Sequence, residues 1–430
     1  MSIKAKIIQI IEAVSSSLWF IPLLFVLSSF LLTYGSIYFD TNIANRFSSK
    51  SWLFFSAGAE SARAVLSTIA GSMITIAGVV FSITIVVLSL ASSQYGPRLL
   101  DGFMKDKINQ IVLGVFIATF LYSILILKTI TSNENGFIPH YSINISILLS
   151  IFSVLFFIYF IHHTCKSIQA SSIIDKVCIR LNGTIENFEV KDKIVIDDTN
   201  YQLDESNNFY LLKSSSTGYV QYIDYNLLKD ISEENEIIIK IDLKPGAFCP
   251  ATSKIGSFYS KEKIDDSKQE KIETAVLHCF NIGLIRTYTQ DIEYGFHQLV
   301  EVALRALSPG INDPFTAILC LDRIASNLLD LLSRELPSGY KFNNNKEVVL
   351  IYKTFDYAGI VETAFRQIRQ ASSNSLAVRI RVLEVCSLII DNVDNKQAVK
   401  ALKVQIAETK DACSKMNLSD LELKNVQERL

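Results

Sequence analysis

The chain has 430 residues and a mass of 48.2 kDa, enough for two or three domains with substantial cores. Hydrophobic residues make up 49% and charged residues 20%, with a mean hydropathy of +0.29, which excludes intrinsic disorder and points to membrane spans. Lys and Arg number 41 against 43 Asp and Glu, so no basic excess is available to neutralise phosphates and nucleic acid is excluded as a main partner.

Four long apolar runs fall between Leu18 and Ile161, and nothing comparable follows. The first, Leu18 to Phe39, has Trp19 near one end and Tyr34 and Tyr38 near the other, where amphipathic rings favour the headgroup region. The others reach from Ala62 to about Ser92, from about Ile111 to Ile130 and from about Ile143 to Ile161. Each is long enough to cross a bilayer. Basic residues sit at Lys4 and Lys6, at Arg98, Lys105 and Lys107, and at Lys166, Lys176 and Arg180, while the connection from Thr131 to Ser142 has none. This bias predicts a multi-pass membrane protein with both termini and the middle loop in the cytoplasm.

The second run differs in composition. Ser67, Gly71, Thr75, Gly78, Ser82 and Ser89 recur at intervals of three, four or seven and share one helical face. Its roughly thirty residues would extend about 45 Å, beyond the roughly 30 Å hydrocarbon core, so it must tilt, kink or project. Glu60 and Arg63 stand at one end and the Gly96-Pro97 break at the other. One reading makes this a packing face, where small residues let backbones approach. The other makes it the lining of a hydrated axial path in a homo-oligomer. No acidic residue lies inside the four runs, which argues against a proton-coupled pump with intramembrane carboxylates.

From about Ser171 to Ser260 short alternating and β-branched stretches such as TIENFEV, KIVIDD, FYLLK, GYVQYID and EIIIKIDL predict a small β-domain. KSSSTGYV reads as a hairpin connection, and Pro245-Gly246 as the centre of a type II turn. From about Asp265 onward the pattern is helical. Ile292, Phe296, Leu299, Val300, Ala303, Leu304 and Leu307 form one apolar stripe, and Asp313-Pro314 reads as an N-cap followed by a first-turn proline. Later helices are predicted over Lys346–Ser372, Ser375–Val393 and Asn395–Lys415. The predicted architecture is an α-helical four-span membrane domain followed by a cytoplasmic α+β region, made of a small β-domain and then a helical bundle. Its boundaries are read as 1–17, 18–161, 162–263 and 264–430.

Catalytic chemistry finds little to rest on. The sequence contains no H-E-x-x-H, G-x-S-x-G, Walker A or G-x-G-x-x-G motif. Its seven cysteines are scattered with no C-x-x-C, and read as small hydrophobes in a reducing compartment. His162, His163 and Cys165 are close in sequence, but adjacent histidines point to different helix faces and no further metal ligand is identifiable. His278-Cys279 likewise has no orienting acid beside it. No enzyme activity, cofactor or metal is predicted.

The most distinctive stretch runs from Gln290 to Arg323. In it Ser308, Pro309 and Gly310 stop one helix, Asn312 satisfies loop backbone groups and Asp313 caps the next helix, which Pro314 begins. The alternative is that Asp291, His297, Glu301, Arg305, Asn312 and Asp313 form a buried polar network at a subunit or ligand interface. RALSPGINDPFTA, preceded by RTYTQDIEYGFHQLVEVAL and followed by CLDR, resembles the signature of a family of bacterial predicted membrane proteins of unknown function. SLWFIPLLF and TIAGSMITIAGVVFSITIVVLSLASSQYGPRLL match as well, so the resemblance covers nearly the whole chain. Phe315 and His297 depart from the smaller or basic residues expected there. The resemblance implies an inner-membrane protein with amino-terminal spans and a cytoplasmic carboxy-terminal region, and it supplies no activity.

Two functions are therefore expected from different classes. One is a homo-oligomeric ion channel or channel-like protein, with the second span nearest the axis and a cytoplasmic vestibule or sensor. The other is a membrane-anchored scaffold or ligand sensor that does not conduct. The partners expected are the lipid bilayer, further copies of the chain, and ions or a small ligand.

Overall fold

A computed structural model describes residues 19–42, 58–96, 106–131, 137–187 and 208–416. The chain divides into two compact units, Met1–Ser172 and Ile173–Leu430. The amino-terminal segment 1–18, Pro97 and the stretch KIVIDD lie outside the described residues.

The first unit holds four helices long and apolar enough to cross a membrane: α1 (Phe20–Asn42), α2 (Ala59–Tyr95), α3 (Lys107–Thr129) and α4 (His140–Ser167). α3 is the most enclosed of them and meets each of the other three. Its Gly114 faces α1 so closely that an added Cβ would lie 2.7 Å from a ring carbon of Phe25. The bundle interior is laced by hydroxyls: Thr119 with Ser153 at 3.2 Å, Ser123 with Ser146 at 2.7 Å, and Tyr122 donating to Ser36 at 3.0 Å. In a medium without water such pairs replace hydration that the helices cannot obtain.

α2 meets the bundle through Ala62, Leu66, Ala70, Met73, Ala77, Val80, Val87 and Ala91. From Leu66 these positions, with Thr84 completing the series, step by four and three residues, the heptad spacing that keeps one seam on a neighbouring helix. Met73, Ala77 and Val80 pack with Val112 and Phe116 of α3 and Phe160 of α4. Over 37 residues α2 extends about 55 Å, ending at Gly96, whose φ of 108° no L-residue readily adopts.

The second unit carries α5 (Ala170–Glu186, from its fourth residue), β1 (Asn208–Lys213), β2 (Gly218–Ile223), α6 (Tyr225–Asn235), β3 (Ile237–Ile241), β4 (Phe248–Cys249), β5 (Lys254–Ser260), α7 (Asp266–His278), β6 (Phe280–Gly283), α8 (Ile292–Ala306) and α9 (Pro314–Leu332). It continues with β7 (Tyr340–Phe342), β8 (Val348–Tyr352), α10 (Tyr357–Ala371), α11 (Leu376–Asn392) and α12 (Lys396–Ser414). A five-stranded sheet runs β1-β5-β3-β8-β7 and a three-stranded sheet β4-β2-β6. Among the described residues only β3 and β8 pair in parallel, and both sit inside the larger sheet. Ile237, Ile239 and Ile241 of β3 point into a core shared with Ile255, Phe258 and Leu350.

Three local expectations are corrected. Residues 171–186, read as part of the β-rich stretch, form the amphipathic helix α5, whose buried stripe is Ile173, Ile174, Val177, Cys178, Leu181 and Ile185. Ser214–Thr217 joins no hairpin, since β1 and β2 belong to different sheets; the link crosses between them, tied by Ser214 N–H to Ser253 O at 2.9 Å. The helix predicted over Lys346–Ser372 starts only at Tyr357, because Val348–Tyr352 is a strand paired with β3 and β7. There Asn343 accepts from the N–H groups of Asn345 and Glu347, closing a tight turn that a run of β-branched residues then leaves as a strand. Strands on both sides of residue 263 thus pair in the same sheets.

The strands β6 and β7 within the stretch read as helical, and the helix α6 within the β-rich one, are further departures, while the turn and cap readings hold. Ala247 N–H donates to Lys244 O at 3.1 Å and Gly246 has φ 85°, a type II turn. Asn395 caps α12, accepting from Gln397 and Ala398.

Candidate functional site

Ser67, Gly71, Thr75, Gly78, Ser82 and Ser89 are all exposed on α2. At about 100° per residue their face lies nearly opposite the heptad seam. An added Cβ at Gly71 or Gly78 meets nothing within 4 Å, so the described helices make no close approach at these two glycines. Among the described residues that packing is done by Ser29, Thr33 and Ser36 of α1, Gly114 and Ser123 of α3, and Ser142 and Ser146 of α4, which are enclosed in the bundle. Large apolar side chains border the small-residue face, with Ile74 and Phe81 on one side and Val79, Val86 and Leu90 on the other, and Ile85 stands on it between Ser82 and Ser89. The Thr75 hydroxyl donates to Gly71 O at 2.8 Å, and Ser72 donates to Thr68 O at 2.7 Å. With its hydrogen turned into the helix, each oxygen keeps lone pairs directed outward.

The helix ends are closed by charged residues. Asp40, in the last turn of α1 just beyond its apolar run, accepts from the N–H groups of Tyr141 and Ser142 and from the Ser142 hydroxyl, at 3.0, 2.9 and 2.5 Å. It supplies the cap that Pro139 cannot give α4. Arg63 donates to Ile130 O at 2.8 Å, satisfying the carboxyl end of α3. Asp106 caps α3 through Ile108 N–H and meets His163 Nε2 at 2.8 Å. Sequence reading missed the roles of Asp40 and Asp106. The available signal was position: a lone acid at the edge of an apolar run, where a neighbouring helix end needs an acceptor.

The capping residues of the Gln290–Arg323 stretch fall into two clusters, one at each end of α8. Asp291, 1% exposed, N-caps α8 through Tyr294 N–H and takes two bonds from Arg286, Nε at 2.7 Å and Nη2 at 2.9 Å. Gly246 presses on this pair; a Cβ there would fall 2.1 Å from Asp291 Oδ2. Burial pushes the Asp291 carboxyl above the usual carboxylate range, with Arg286 pulling it back. The other cluster lies at the far end of α8, about 22 Å away. There Ser308 donates to Arg305 O, Asn312 adopts φ 48°, Asp313 N–H donates to Ala306 O at 2.7 Å, and Asp313 accepts from both the N–H and hydroxyl of Thr316. Pro309, Gly310 and Asn312 are exposed, and Pro314 starts α9. His297, Glu301 and Arg305 succeed one another at one-turn intervals along α8, Glu301 lying 4.0 Å from Arg305. Helix length separates Asp291 from Asp313, and each serves as an N-cap.

Burial governs several thiols of the second unit. Cys279 is buried with its Sγ bonded to Ala275 O, and burial pushes its thiol up to about 12; Cys178, Cys320 and Cys386 are raised for the same reason. A thiol held protonated is a weak nucleophile and a poor metal ligand. His163 is engaged by Asp106, and among the described residues no three His, Cys, Asp or Glu side chains converge on a metal position.

Comparison with known proteins locates the chain. Uncharacterised proteins Mb1321c of Mycobacterium bovis and Rv1290c of Mycobacterium tuberculosis are each 30% identical to it over 357 residues, covering 83% of this chain and 68% of theirs. No solved structure matches. Residues 15–387, which take in all four apolar helices, both sheets and the Gln290–Arg323 stretch, match one model described as a predicted membrane protein. That match carries across both units, and the chain belongs to the DUF2254 family of predicted membrane proteins.

Proposed function

We propose that this protein is a homo-oligomeric, channel-like protein of a bacterial inner membrane, with α2 nearest the symmetry axis and both termini in the cytoplasm. The observation that carries this reading is the open small-residue face of α2. It lies opposite a heptad seam already filled by α3 and α4, and it is bordered by large apolar side chains suited to neighbouring helices. Copies arranged about an axis would bring Gly71, Thr75, Gly78 and Ser82 together where small side chains leave room for water. The outward lone pairs of hydroxyls such as Thr75 favour cations over anions. No enzymatic step is part of this reading.

The test is conduction by the purified protein in planar bilayers, with oligomer mass measured on the same preparation. Wild type is expected to conduct as an oligomer, and Gly78→Leu to cut single-channel conductance severalfold. An oligomer that stays electrically silent across voltage, tension and ionic conditions would sink the channel reading. The second reading, a non-conducting anchored sensor or scaffold, draws on the back-bonding of Thr75, which lets the face serve for packing alone. In that case Gly78→Leu would dissociate the oligomer with no current to lose.

A further inference from the structure

A cavity of about 430 Å³ opens in the second unit, within the range of small-molecule sites. Its walls come from β2 and the start of α6, from the Pro245 turn, from residues 289–290 and from both ends of the β7–β8 hairpin. Those segments are held in place independently of any ligand. Gln290 accepts from Ile223 N–H at 2.8 Å and donates to Ile223 O at 3.0 Å, copying a strand neighbour. Tyr352 N–H donates to Gly339 O at 2.8 Å, and Asp224 N–H to Cys279 O at 2.9 Å. The cavity is therefore preformed, the condition under which binding avoids an ordering cost.

Its chemistry is uneven in a way that selects a ligand. Tyr225 and Tyr352 form a tilted ring pair with centroids 4.3 Å apart, and Tyr222, Tyr340 and Phe355 bring the lining to five rings. Lys341 and Lys353 are the two cations among the lining residues and Asp224 the one acid. One oxygen of Asp224, Oδ1, caps α6, accepting from Asn226 N–H at 3.2 Å and Leu227 N–H at 3.0 Å. It thus takes the helix end that a phosphate would otherwise use. Lys341 is steered by Asn226 Oδ1 at 2.7 Å, an uncharged partner that orients the ammonium without neutralising it. No carboxylate among the described residues forms an ion pair with Lys341 or Lys353.

We propose that this cavity binds an anion carrying a planar ring, of the nucleoside monophosphate class, with the ring against the tyrosines and the anionic group at Lys341 and Lys353. Stacking on aromatic faces tolerates different bases, and ammonium groups serve phosphate as point charges. The site stands whether or not the spans conduct, and binding is measured without current.

The experiment is isothermal titration of the full chain in zwitterionic-lipid nanodiscs with AMP and GMP, using adenosine and inorganic phosphate as half-ligands. At least one nucleotide is expected to saturate at one site per chain, with each half-ligand at least tenfold weaker. Lys353→Gln, at an exposed position, is expected to raise Kd at least tenfold with the thermal unfolding profile unchanged, and the Lys341→Gln/Lys353→Gln pair to raise it further. No saturable binding of either nucleotide at millimolar concentration overturns the proposal. So does binding that the double variant leaves unchanged, or phosphate alone binding as tightly as the nucleotides.

Discussion

Asp291 shows what a single carboxylate carries when it is buried. Both of its oxygens accept from Arg286 and one also caps α8, so Asp291→Ala would leave a guanidinium without its partner at a cost of about 3–5 kcal/mol. The pH dependence has a definite sign. A carboxyl whose folded pKa lies above its unfolded value binds more protons in the folded state, so its contribution to stability falls as pH rises from the ordinary carboxylate value through the raised one. Thermal unfolding of the full chain should show that loss in wild type and not in Asp291→Asn. Equal pH profiles for the two proteins would refute it. Two of the motif residues, Asp291 and Asp313, act as conformational devices, each starting a helix.

At the scale of elements, the α8–α9 link depends on one residue in the left-handed region and one cap. Asn312→Gly keeps φ 48° at little cost, whereas Asn312→Val forces a β-branched residue into that conformation and should cost on the order of 1–3 kcal/mol. Asp313→Ala should cost about 1 kcal/mol through the lost cap on Thr316. A chemical denaturation series ranking these three variants in another order would contradict the assignment. α2 offers a sharper pair. Ala77 is buried in the seam and Gly78 beside it faces open space, so Ala77→Leu should overpack by about 1–3 kcal/mol while Gly78→Leu leaves the subunit's own packing intact. Protease resistance of monomeric protein in detergent would separate them; equal losses would mean that the Gly78 face is packed within the chain.

At the scale of the molecule, the orientation of hydroxyl hydrogens into α2 sets an expectation for the proposed channel. Its reversal potential in a salt gradient should move toward the cation equilibrium value, and a shift toward the anion value would reject the lining inferred from Thr75 and its neighbours. The division of labour between units follows their composition. All four long apolar helices lie in the first unit, while the second builds two sheets and an amphipathic helical layer around cores such as Ile239, Phe258 and Leu350.

Much of this was legible before any coordinates, because the relevant physics is local or periodic. An apolar run of about twenty residues announces a span, Asp313-Pro314 announces a helix start, and Pro245-Gly246 announces a turn. What the sequence could not determine was partnership. The heptad seam of α2 is as visible in the sequence as its small-residue face, yet only the packed bundle shows that α3 and α4 take the seam and leave the other face open. Val348–Tyr352 became a strand because β3, more than a hundred residues earlier, offered it a free edge, and Asp40 became a helix cap because α4 begins beside it. Those outcomes depend on contacts between residues far apart in the chain, which no local pattern records.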